Sequence, residues 1–207
     1  PDFSEGSDKV SLNLLRIRDG LLKTDYTAFC PKCGAPTEQV IPEDDNKARP
    51  VCTDCGFVHY VNPSTVTGAV CFWEDKVLLC KRAIEPRVGF WTLPAGFLEL
   101  EESVDEGAVR ETLEEACAQI KIDRMIAVYG IPQISQTQVF FLADLITPEI
   151  APGDESLEVG LFDWDSIPWG ELAFSTVKWA LEQARMSRET PNHPVELKVK
   201  RFQELKA

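Results

Sequence analysis

Positively charged side chains are scarce in this sequence. Its 207 residues contain 21 lysines and arginines against 34 aspartates and glutamates, which gives a formal net charge of −13 and a pI of about 4.6. A protein that grips a nucleic-acid backbone needs clustered lysine and arginine, and so does one that binds an anionic membrane surface. The composition therefore disfavours a nucleic-acid partner and predicts no membrane partner. An anionic small molecule stays compatible with it if metal ions screen the charge locally.

Long apolar runs are also missing. No stretch approaches the length of a membrane-spanning helix, and no charged segment followed by an apolar run opens the chain. Hydrophobic residues still make up 44% of the sequence, enough for a packed core, and the length suits one ordinary domain with a small module. Because the first residue is Pro1 rather than methionine, we expect a processed or trimmed chain, which leaves room for a removed targeting segment.

The seven cysteines divide into two groups. Four occur as two Cys-x-x-Cys pairs separated by 18 residues, the spacing of two zinc knuckles that close a ribbon: Cys30, Cys33, Cys52 and Cys55. Two disulfides are the alternative for these four. The other three, Cys71, Cys80 and Cys117, lie in apolar contexts and are predicted to be small buried residues. This usage favours a reducing compartment over a disulfide scaffold.

Residues 29–63 form the predicted zinc-ribbon module. They hold three basic and five acidic side chains, a balance of −2, so the module lacks the basic stripe that RNA binding requires. We expect its zinc to be structural, replacing a hydrophobic core too small to fold alone. Residues 1–28 are expected to form an N-terminal arm, to which the sequence assigns no role.

The segment 96–118 carries the pattern richest in chemistry. It predicts a helix over residues 103–117, and at about 100° per residue Glu111, Glu114 and Glu115 share an arc about 100° wide. Carboxylates that close repel one another, and a hard divalent cation with oxygen ligands relieves the repulsion. The arc therefore predicts a metal site. The apolar residues expected to anchor the opposite face are Val109, Leu113, Ala116 and Cys117.

The same segment can also be interpreted as a solvated helix face without a metal site. Residues 99–115 contain eight acidic side chains and a single base, Arg110. Charged runs of this kind usually form the solvated face of a helix. Composition alone favours that alternative, and only the ordered spacing of the acids speaks against it.

That spacing resembles the Nudix box, in which a glycine, a glutamate and an Arg-Glu-x-x-Glu-Glu run follow at fixed intervals. Two positions depart from it, because Thr112 replaces the usual aliphatic residue and Cys117 the usual glycine. Glycine takes a positive φ at a helix end more easily than cysteine, so the helix exit is hard to place. Six positions are in register: Gly96, Glu102, Arg110, Glu111, Glu114 and Glu115.

The resemblance covers about residues 64–188 and implies an α/β/α sandwich with a mixed sheet. The predicted organisation is an arm at 1–28, the zinc ribbon at 29–63, an α/β Nudix domain at 64–190 and a polar C-terminal tail at 191–207. Apolar and β-branched patterns predict strands at 65–73, 76–84, 91–93, 122–129, 137–146 and 159–164, and helices at 103–117 and 174–188.

Membership of this family would imply metal-dependent hydrolysis of a nucleoside diphosphate linked to another moiety, with two or more Mg²⁺ or Mn²⁺ ions. Glu111 and Glu115 correspond to the principal ligands, and Glu114 to a further ligand or the base. The carbonyl of Ala95 is an expected additional ligand. The resemblance also implies that Arg110 pairs with Glu102 to hold the glutamates in place. A plain surface ion pair is the alternative for Arg110.

The ribbon before the box is similar to two groups within the family. One comprises NADH pyrophosphatases, which also remove NAD caps from RNA, but their Ser-Gln-Pro-Trp-Pro-Phe-Pro signature is missing here. The other comprises FAD and ADP-ribose pyrophosphatases of plants and bacteria. We favour the second group because of these segments: Lys81-Arg82, Gly89–Gly96, Gln136-Thr137, Glu155–Glu158 and Leu172–Ser175.

Contacts to the substrate are hypotheses at this stage. Aromatic rings could stack on adenine or isoalloxazine and arginines could hold phosphates, although core packing and solvent exposure are the alternatives. The candidates are Arg82, Arg87, Phe90, Trp91, Gln136 and Glu158. Two other classes stay open, a catalytically silent nucleotide-binding regulator and a zinc-ribbon adaptor for RNA or protein. The resemblance further implies a homodimer, in the cytoplasm if bacterial and in the chloroplast if plant or algal.

Overall fold

The computed structural model describes residues 28–190 and 192–201. These residues fall into two compact units, which divide between Val61 and Asn62. The predicted ribbon lies in the first unit and the segment with the clustered glutamates in the second. Apart from Ala28, the predicted arm lies outside the described residues, as do residues 202–207 of the predicted tail.

The small unit is built on one hairpin. Strand β1 (Thr37–Val40) pairs antiparallel with β2 (Arg49–Cys52). One tight turn precedes β1 and another follows β2, and each ends in a glycine with a positive φ, 78° at Gly34 and 68° at Gly56. Glycine adopts these angles without steric strain. Both Cys-x-x-Cys-Gly turns therefore close tightly enough to bring the two cysteine pairs to one end of the hairpin.

The large unit contains a mixed sheet of eight strands, ordered β10-β7-β8-β3-β4-β5, with β6 beside β3 and β9 beside β4. The pairs β3–β8 and β7–β10 are parallel and the others antiparallel. Every strand predicted from the sequence has a counterpart here. The strands are β3 (Ser64–Trp73), β4 (Lys76–Arg82), β5 (Trp91–Thr92), β6 (Ala95–Phe97), β7 (Ile120–Ile131), β8 (Gln136–Leu145), β9 (Ser156–Phe162) and β10 (Glu196–Val199).

Two helices, α1 (Val104–Ala116) and α2 (Ser175–Glu189), cover opposite faces of this sheet. Successive side chains of a strand point to opposite faces, and β3 shows the consequence. Its Ala69 and Cys71 join the core under α1, whereas Val70 joins the core under α2. The predicted α/β/α sandwich with a mixed sheet is confirmed. No helix in the described part of the chain is both long and apolar enough to cross a membrane.

Strands β3 and β4 stay together only near their shared turn, where Phe72 faces Val77 and Trp73 faces Lys76. Farther along, β3 pairs with β6 while β4 pairs with β9 and β5. The sheet is therefore split at this end. The split is where β6 passes beneath α1, and it decides which backbone lies next to the clustered glutamates.

The sequence-based expectation for the buried face of α1 is confirmed for Ala116 and wrong for the other three residues. Val109 is 37% exposed, Leu113 is 51% exposed and Cys117 lies on the surface. The helix instead approaches the sheet through small residues, since a Cβ at Gly107 would lie 2.7 Å from the Thr67 methyl group. Small side chains let the helix sit close to the sheet, and this rotates the buried face toward Gly107, Ala108, Glu111, Thr112, Glu115 and Ala116.

The polar tail predicted beyond residue 190 also differs from the structure. Strand β10 adds to the sheet in parallel with β7, and the Tyr129 hydroxyl donates a hydrogen bond of 2.9 Å to Glu196. Its side chains alternate between half-buried and exposed positions. A four-residue edge strand with two charged positions offers little hydrophobic periodicity, so the sequence pattern indicated a tail instead.

Candidate active site

The start of α1 is fixed by a capping box. The Glu106 carboxylate accepts hydrogen bonds from the backbone amide of Ser103 at 2.8 Å and from its hydroxyl at 2.9 Å. Asp105 and Glu106 also place negative charge at the positive end of the helix dipole. Because the first turn is pinned, the rotational position of the four charged residues farther along the helix is set.

Strand β6 passes directly under one of these residues. A Cβ placed on Gly96 would lie 2.3 to 2.4 Å from the carboxylate of Glu111, closer than any real Cβ contact. On the other side, a Cβ on Gly68 would lie 2.4 Å from the Cβ of Ala95. Glycine at both positions therefore lets β6 fit between β3 and α1. The box glycine serves here as space for a carboxylate, since its φ is not positive.

Arg110 organises the acidic side chains around it. Its guanidinium forms a bidentate pair with Glu102, with Nε at 3.0 Å and Nη2 at 2.7 Å from the two oxygens. Nη1 donates to Glu111 at 2.8 Å and to Glu114 at 2.9 Å, and Nη2 also reaches the carbonyl of Phe97. A partly buried guanidinium with five hydrogen bonds restricts its partners far more than an exposed pair does.

Glu102 is the anchor of this network. Hydrogen bonds from Arg110, together with one of 2.7 Å from the Glu99 amide, lower the pKa of the Glu102 carboxyl to about 2. The same contacts raise the pKa of the Arg110 guanidinium above its ordinary value. Both groups therefore stay charged at any pH at which the protein would work.

Glu111 and Glu115 are buried carboxylates, 8% and 5% exposed. Burial raises the pKa of the Glu111 carboxyl, and burial together with the charge of Glu111 raises the pKa of Glu115 to about 8. The contact recorded for the Glu115 carboxylate is a long hydrogen bond of 3.4 Å from the Ala95 amide. Buried acids of this kind need a cation to become ionised, so the pair fits a divalent metal ion.

Glu114 differs from its two neighbours. Its side chain is more than half exposed and is held only by Arg110. Ala95 touches Glu115 through its amide, so the predicted role of the Ala95 carbonyl stays a prediction. Within the described part of the chain, the ligand atoms of the three helix glutamates do not converge to within 4.8 Å as those of the four cysteines do.

A fourth carboxylate, Glu155, was missed by sequence reasoning. Its charge raises the pKa of both Glu111 and Glu115, which places it within electrostatic reach of the buried pair. The sequence favoured Glu158 instead, yet Glu158 pairs with Lys81 on the sheet at 3.4 Å. The available signal was the Pro152-Gly153 turn, which is separated from Glu155 by Asp154 alone and lies in the connection to β9.

The loop 151–155 is docked onto the end of α1. The Ala151 amide donates to the Ala116 carbonyl at 3.0 Å, and the Gly153 amide donates to the Glu115 carbonyl at 3.1 Å. A Cβ at Gly153 would lie 1.7 Å from the carbonyl oxygen of Glu114. Only glycine permits the loop to approach the helix this closely, so Gly153 determines the position of Glu155.

The structure places the predicted substrate-contacting residues in different environments. Trp91 is 6% exposed and packs edge-on against Phe162 with the ring centres 4.8 Å apart, which favours the alternative that it fills the core, and its contact with substrate stays a prediction. Phe90 is half-buried, with the guanidinium of Arg87 5.0 Å from its ring centre. The positive charge of Arg82 lowers the pKa of Glu115 and so lies near the buried pair.

Gln136 begins β8 on the sheet and accepts a 2.8 Å hydrogen bond from the Gln138 amide group. The described contacts of Gln136 do not include the clustered glutamates. Its predicted substrate contact stays a prediction.

The four cysteines of the small unit form a second candidate metal centre. All are free, and their sulfur atoms lie within 4.8 Å of one another, with neighbouring pairs at 3.4 to 3.8 Å. A tetrahedral zinc site with bonds of about 2.3 Å has sulfur–sulfur edges of about 3.8 Å. Backbone amides of Lys32, Asp54 and Cys55 point at the sulfurs from 3.4 Å, as expected around thiolates. The arrangement fits zinc and not two disulfides.

Comparison with known families matches both units. A family model described as the NUDIX domain covers residues 63–184, and one described as Nudix N-terminal, a zinc ribbon, covers residues 28–61. The chain is 32% identical over 123 residues to an ADP-ribose pyrophosphatase of Methanocaldococcus jannaschii, with 58% of this chain and 72% of that protein covered. It is also 32% identical to the NAD-capped RNA hydrolase NudC of Haemophilus influenzae, covering 74% of this chain but only 60% of that protein.

Solved structures give the same picture. A NUDIX hydrolase from Nitrosomonas europaea covers 84% of this chain and 99% of its own length, with 44% identity and a TM-score of 0.80. An ADP-ribose pyrophosphatase from Streptococcus suis covers 67% of this chain and all of its own length, with 28% identity and a TM-score of 0.52.

Proposed function

The chain belongs to the Nudix hydrolase family, and we propose that it cleaves the pyrophosphate bond of a nucleoside diphosphate linked to another moiety, with ADP-ribose and FAD as its substrates. The observation that carries the proposal is the buried pair Glu111 and Glu115, two neighbouring carboxylates whose burial raises the pKa of each and of which Arg110 pairs with Glu111 alone. A substrate with adjacent phosphates brings divalent cations to such a pair and shares them with it.

In this proposal each residue of the site has a distinct task. Mg²⁺ or Mn²⁺, held by Glu111 and Glu115 with Glu114 and the Ala95 carbonyl as further ligands, would neutralise phosphate charge and acidify a water molecule. Arg110 and Glu102 keep the carboxylates in position without binding metal. The exposed Glu114 is also suited to accept a proton from the attacking water. Glu155 would add a ligand from the docked loop.

The ribbon has a different task. We propose one structural Zn²⁺ bound by Cys30, Cys33, Cys52 and Cys55. The small unit buries few apolar side chains and exposes large ones such as Phe29, Ile41 and Tyr60. A metal ion would supply the cohesion that its hydrophobic core lacks.

ADP-ribose is supported by the relatives of that name, whereas FAD rests on the resemblance of the sequence segments alone. The products would be AMP with ribose 5-phosphate, or AMP with FMN. Hydrolysis of NADH or of NAD-capped RNA is the second candidate, because the chain also resembles NudC. The net charge of −13 argues against a long RNA partner. A silent nucleotide-binding regulator is the alternative from another class.

The first experiment is a substrate panel. The purified protein is incubated with Mg²⁺ and then with Mn²⁺, separately with ADP-ribose, FAD, NADH and NAD-capped RNA, and the products are separated by chromatography. Glu115→Gln is the control, and we expect it to lower turnover by about 10³-fold because it removes a metal ligand. Its melting temperature should stay within a few degrees of wild type.

Each result of the substrate panel distinguishes between the candidate functions. Turnover of ADP-ribose or FAD that Glu115→Gln abolishes supports the proposal. Turnover of NADH or capped RNA alone moves the protein to the second candidate. Activity that survives Glu115→Gln means that the ligand assignment is wrong, and no turnover of any substrate favours the regulator.

We further propose a small-molecule nucleotide as the physiological partner and a homodimer as the solution form, which sedimentation equilibrium would check. The expected compartment is the cytoplasm of a bacterium or the chloroplast of a plant or alga, and a reducing one in either case.

A further inference from the structure

Two cationic side chains from distant parts of the sequence, Arg82 and Lys200, contact the start of α2, and Arg87 lies near them. Arg82 ends strand β4, Arg87 lies in the connection from β4 to β5, and Lys200 follows strand β10. In a chain with a net charge of −13, three neighbouring cations require an explanation.

Arg82 connects this cluster to the buried glutamates. Its Nε donates to the carbonyl of Pro86 at 2.8 Å, and its guanidinium carbon lies 5.4 Å from the ring centre of Phe174, the residue just before α2. Arg82 also pairs with Ser156 on β9, and the next amide, that of Ala83, donates a hydrogen bond of 2.8 Å to the Glu155 carbonyl. Arg82 therefore joins the start of α2 to the loop that is docked beside Glu115.

Lys200 reaches the same helix end from the other direction. Its Nζ donates a hydrogen bond to the hydroxyl of Ser175, the first residue of α2. Its amide bonds to the Gly130 carbonyl at 2.9 Å, which continues the pairing of β10 with β7. Burial, and to a lesser extent the charge of Arg87, lower the pKa of the Lys200 ammonium group, so Arg87 lies within electrostatic reach of it.

Within residues 28–190 and 192–201, neither Arg82 nor Arg87 forms an ion pair with a carboxylate. The ion pairs that described residues form in this region use Lys81 and Arg110 instead. The N-terminus of α2 adds to the positive potential, because Phe174 has no side-chain oxygen to cap it and the first turn contains no acid. Cations held together beside an uncapped helix N-terminus form a binding site for a multiply charged anion.

We propose that Arg82, Arg87, Lys200 and the start of α2 form a phosphate subsite, which holds the substrate phosphate next to the one attacked at the metal centre. The inference rests on the proposed function and extends it. Lys200 lies beyond residue 184, where the match to the NUDIX family model ends. The C-terminal strand thus supplies a specificity-determining residue that the shared domain does not contain.

Binding measured without turnover tests this subsite. In the Glu115→Gln background and with Mg²⁺ present, titration calorimetry gives the dissociation constants of ADP-ribose, ADP, inorganic phosphate and the phosphate-free adenosine. We expect Lys200→Gln to weaken ADP-ribose and ADP by about tenfold, because a charge-assisted hydrogen bond to phosphate is lost, and to leave adenosine unchanged. Lys200→Arg should retain most of the affinity.

Lys178→Gln is the matched control, because Lys178 is an exposed lysine of helix α2 and pairs with Glu182. It should leave every dissociation constant unchanged. Melting curves of all variants identify any that fail to fold, and in that case Lys200→Arg carries the test.

Several outcomes would overturn the proposal. They are unchanged affinity for ADP-ribose in Lys200→Gln, an equal loss for adenosine, no binding of any phosphate ligand to the parent, or a loss confined to inorganic phosphate. The last would indicate a site for free phosphate rather than for substrate. Wild type that hydrolyses none of the panel while Lys200 still controls ADP-ribose binding would refute the proposed function alone.

Discussion

The two candidate metal centres of this chain are built on opposite plans. In the ribbon, four sulfurs from two tight turns already lie 3.4 to 3.8 Å apart in neighbouring pairs, so the two turns alone supply the ligand set. In the large unit, the carboxylates come from a helix and a distant loop, and Arg110 pairs with Glu111 and Glu114 among them. A closed set of ligands suits a structural ion, and an incomplete one leaves coordination positions for substrate.

Removal of the thiolate-bound metal should have the largest effect. Because structural zinc contributes on the order of 10 kcal/mol to the folding of such modules, a strong chelator or Cys52→Ser should unfold residues 28–61 while the large unit stays folded. Limited proteolysis read by mass spectrometry checks this, and elemental analysis should find one zinc per chain. A ribbon that resists protease without metal would contradict the structural role.

The candidate site of the large unit depends on the docked loop, so Gly153→Ala should lower kcat/KM by about 10- to 100-fold, because it displaces the loop that positions the proposed ligand Glu155. The new Cβ would lie 1.7 Å from the Glu114 carbonyl, and the loop that carries Glu155 must move away. Enzyme kinetics with ADP-ribose measures the effect. Gly170→Ala is the control, because its Cβ would meet nothing within 4 Å. Wild-type kinetics in Gly153→Ala would show that the loop does not position Glu155.

The pH dependence of folding stability tests the buried carboxylates of the large unit. The pKa of Glu115 is raised to about 8 in the folded chain, above its value of about 4.3 when unfolded, so between these values the folded state binds the extra proton. Stability should therefore fall as pH rises from about 4.3 to 8 and level off above. Melting curves with zinc retained and magnesium omitted measure this fall, and added Mg²⁺ should raise the melting temperature most at pH 8. A profile that Glu115→Gln leaves unchanged would refute the assignment.

The smallest expected effect lies at the end of α1. Cys117 adopts a left-handed conformation with φ of 48°, and its amide caps the Leu113 carbonyl at 2.9 Å. Glycine takes this conformation without strain, so Cys117→Gly should raise the free energy of unfolding by about 0.5–1 kcal/mol. Urea denaturation measures the change. Cys117→Ala keeps the strain and should be neutral, and an equal gain in both variants would point to loss of the thiol instead.

The sequence could predict those features that depend on the local spacing of residues. The cysteine pairs and the acidic residues of α1 stand at fixed spacings, so local pattern placed them near their partners without any knowledge of packing. The same holds for the hairpin of β3 and β4, whose turn is short and polar.

The errors share one cause, which is that tertiary packing overrode a local pattern. The buried face of α1 was misplaced because small residues, rather than Val109 and Leu113, meet the sheet. Trp91 fills the core, the alternative to stacking on substrate, because β5 lies between β4 and the 172–173 segment. Glu155 and Lys200, which we propose as site residues, lie in a docked loop and directly after an edge strand, and neither segment has a periodic signature.

The bidentate pair of Arg110 and Glu102 has one more consequence. Because the pKa of Glu102 is about 2, this pair stays ionised in acid that has already protonated the buried ligands. The ion pair that orients the carboxylates therefore stays charged at a pH at which those carboxylates are neutral. Protonation of the buried ligands would then silence the enzyme without disturbing this ion pair, and activity would return once the ligands were ionised again, with no need to refold.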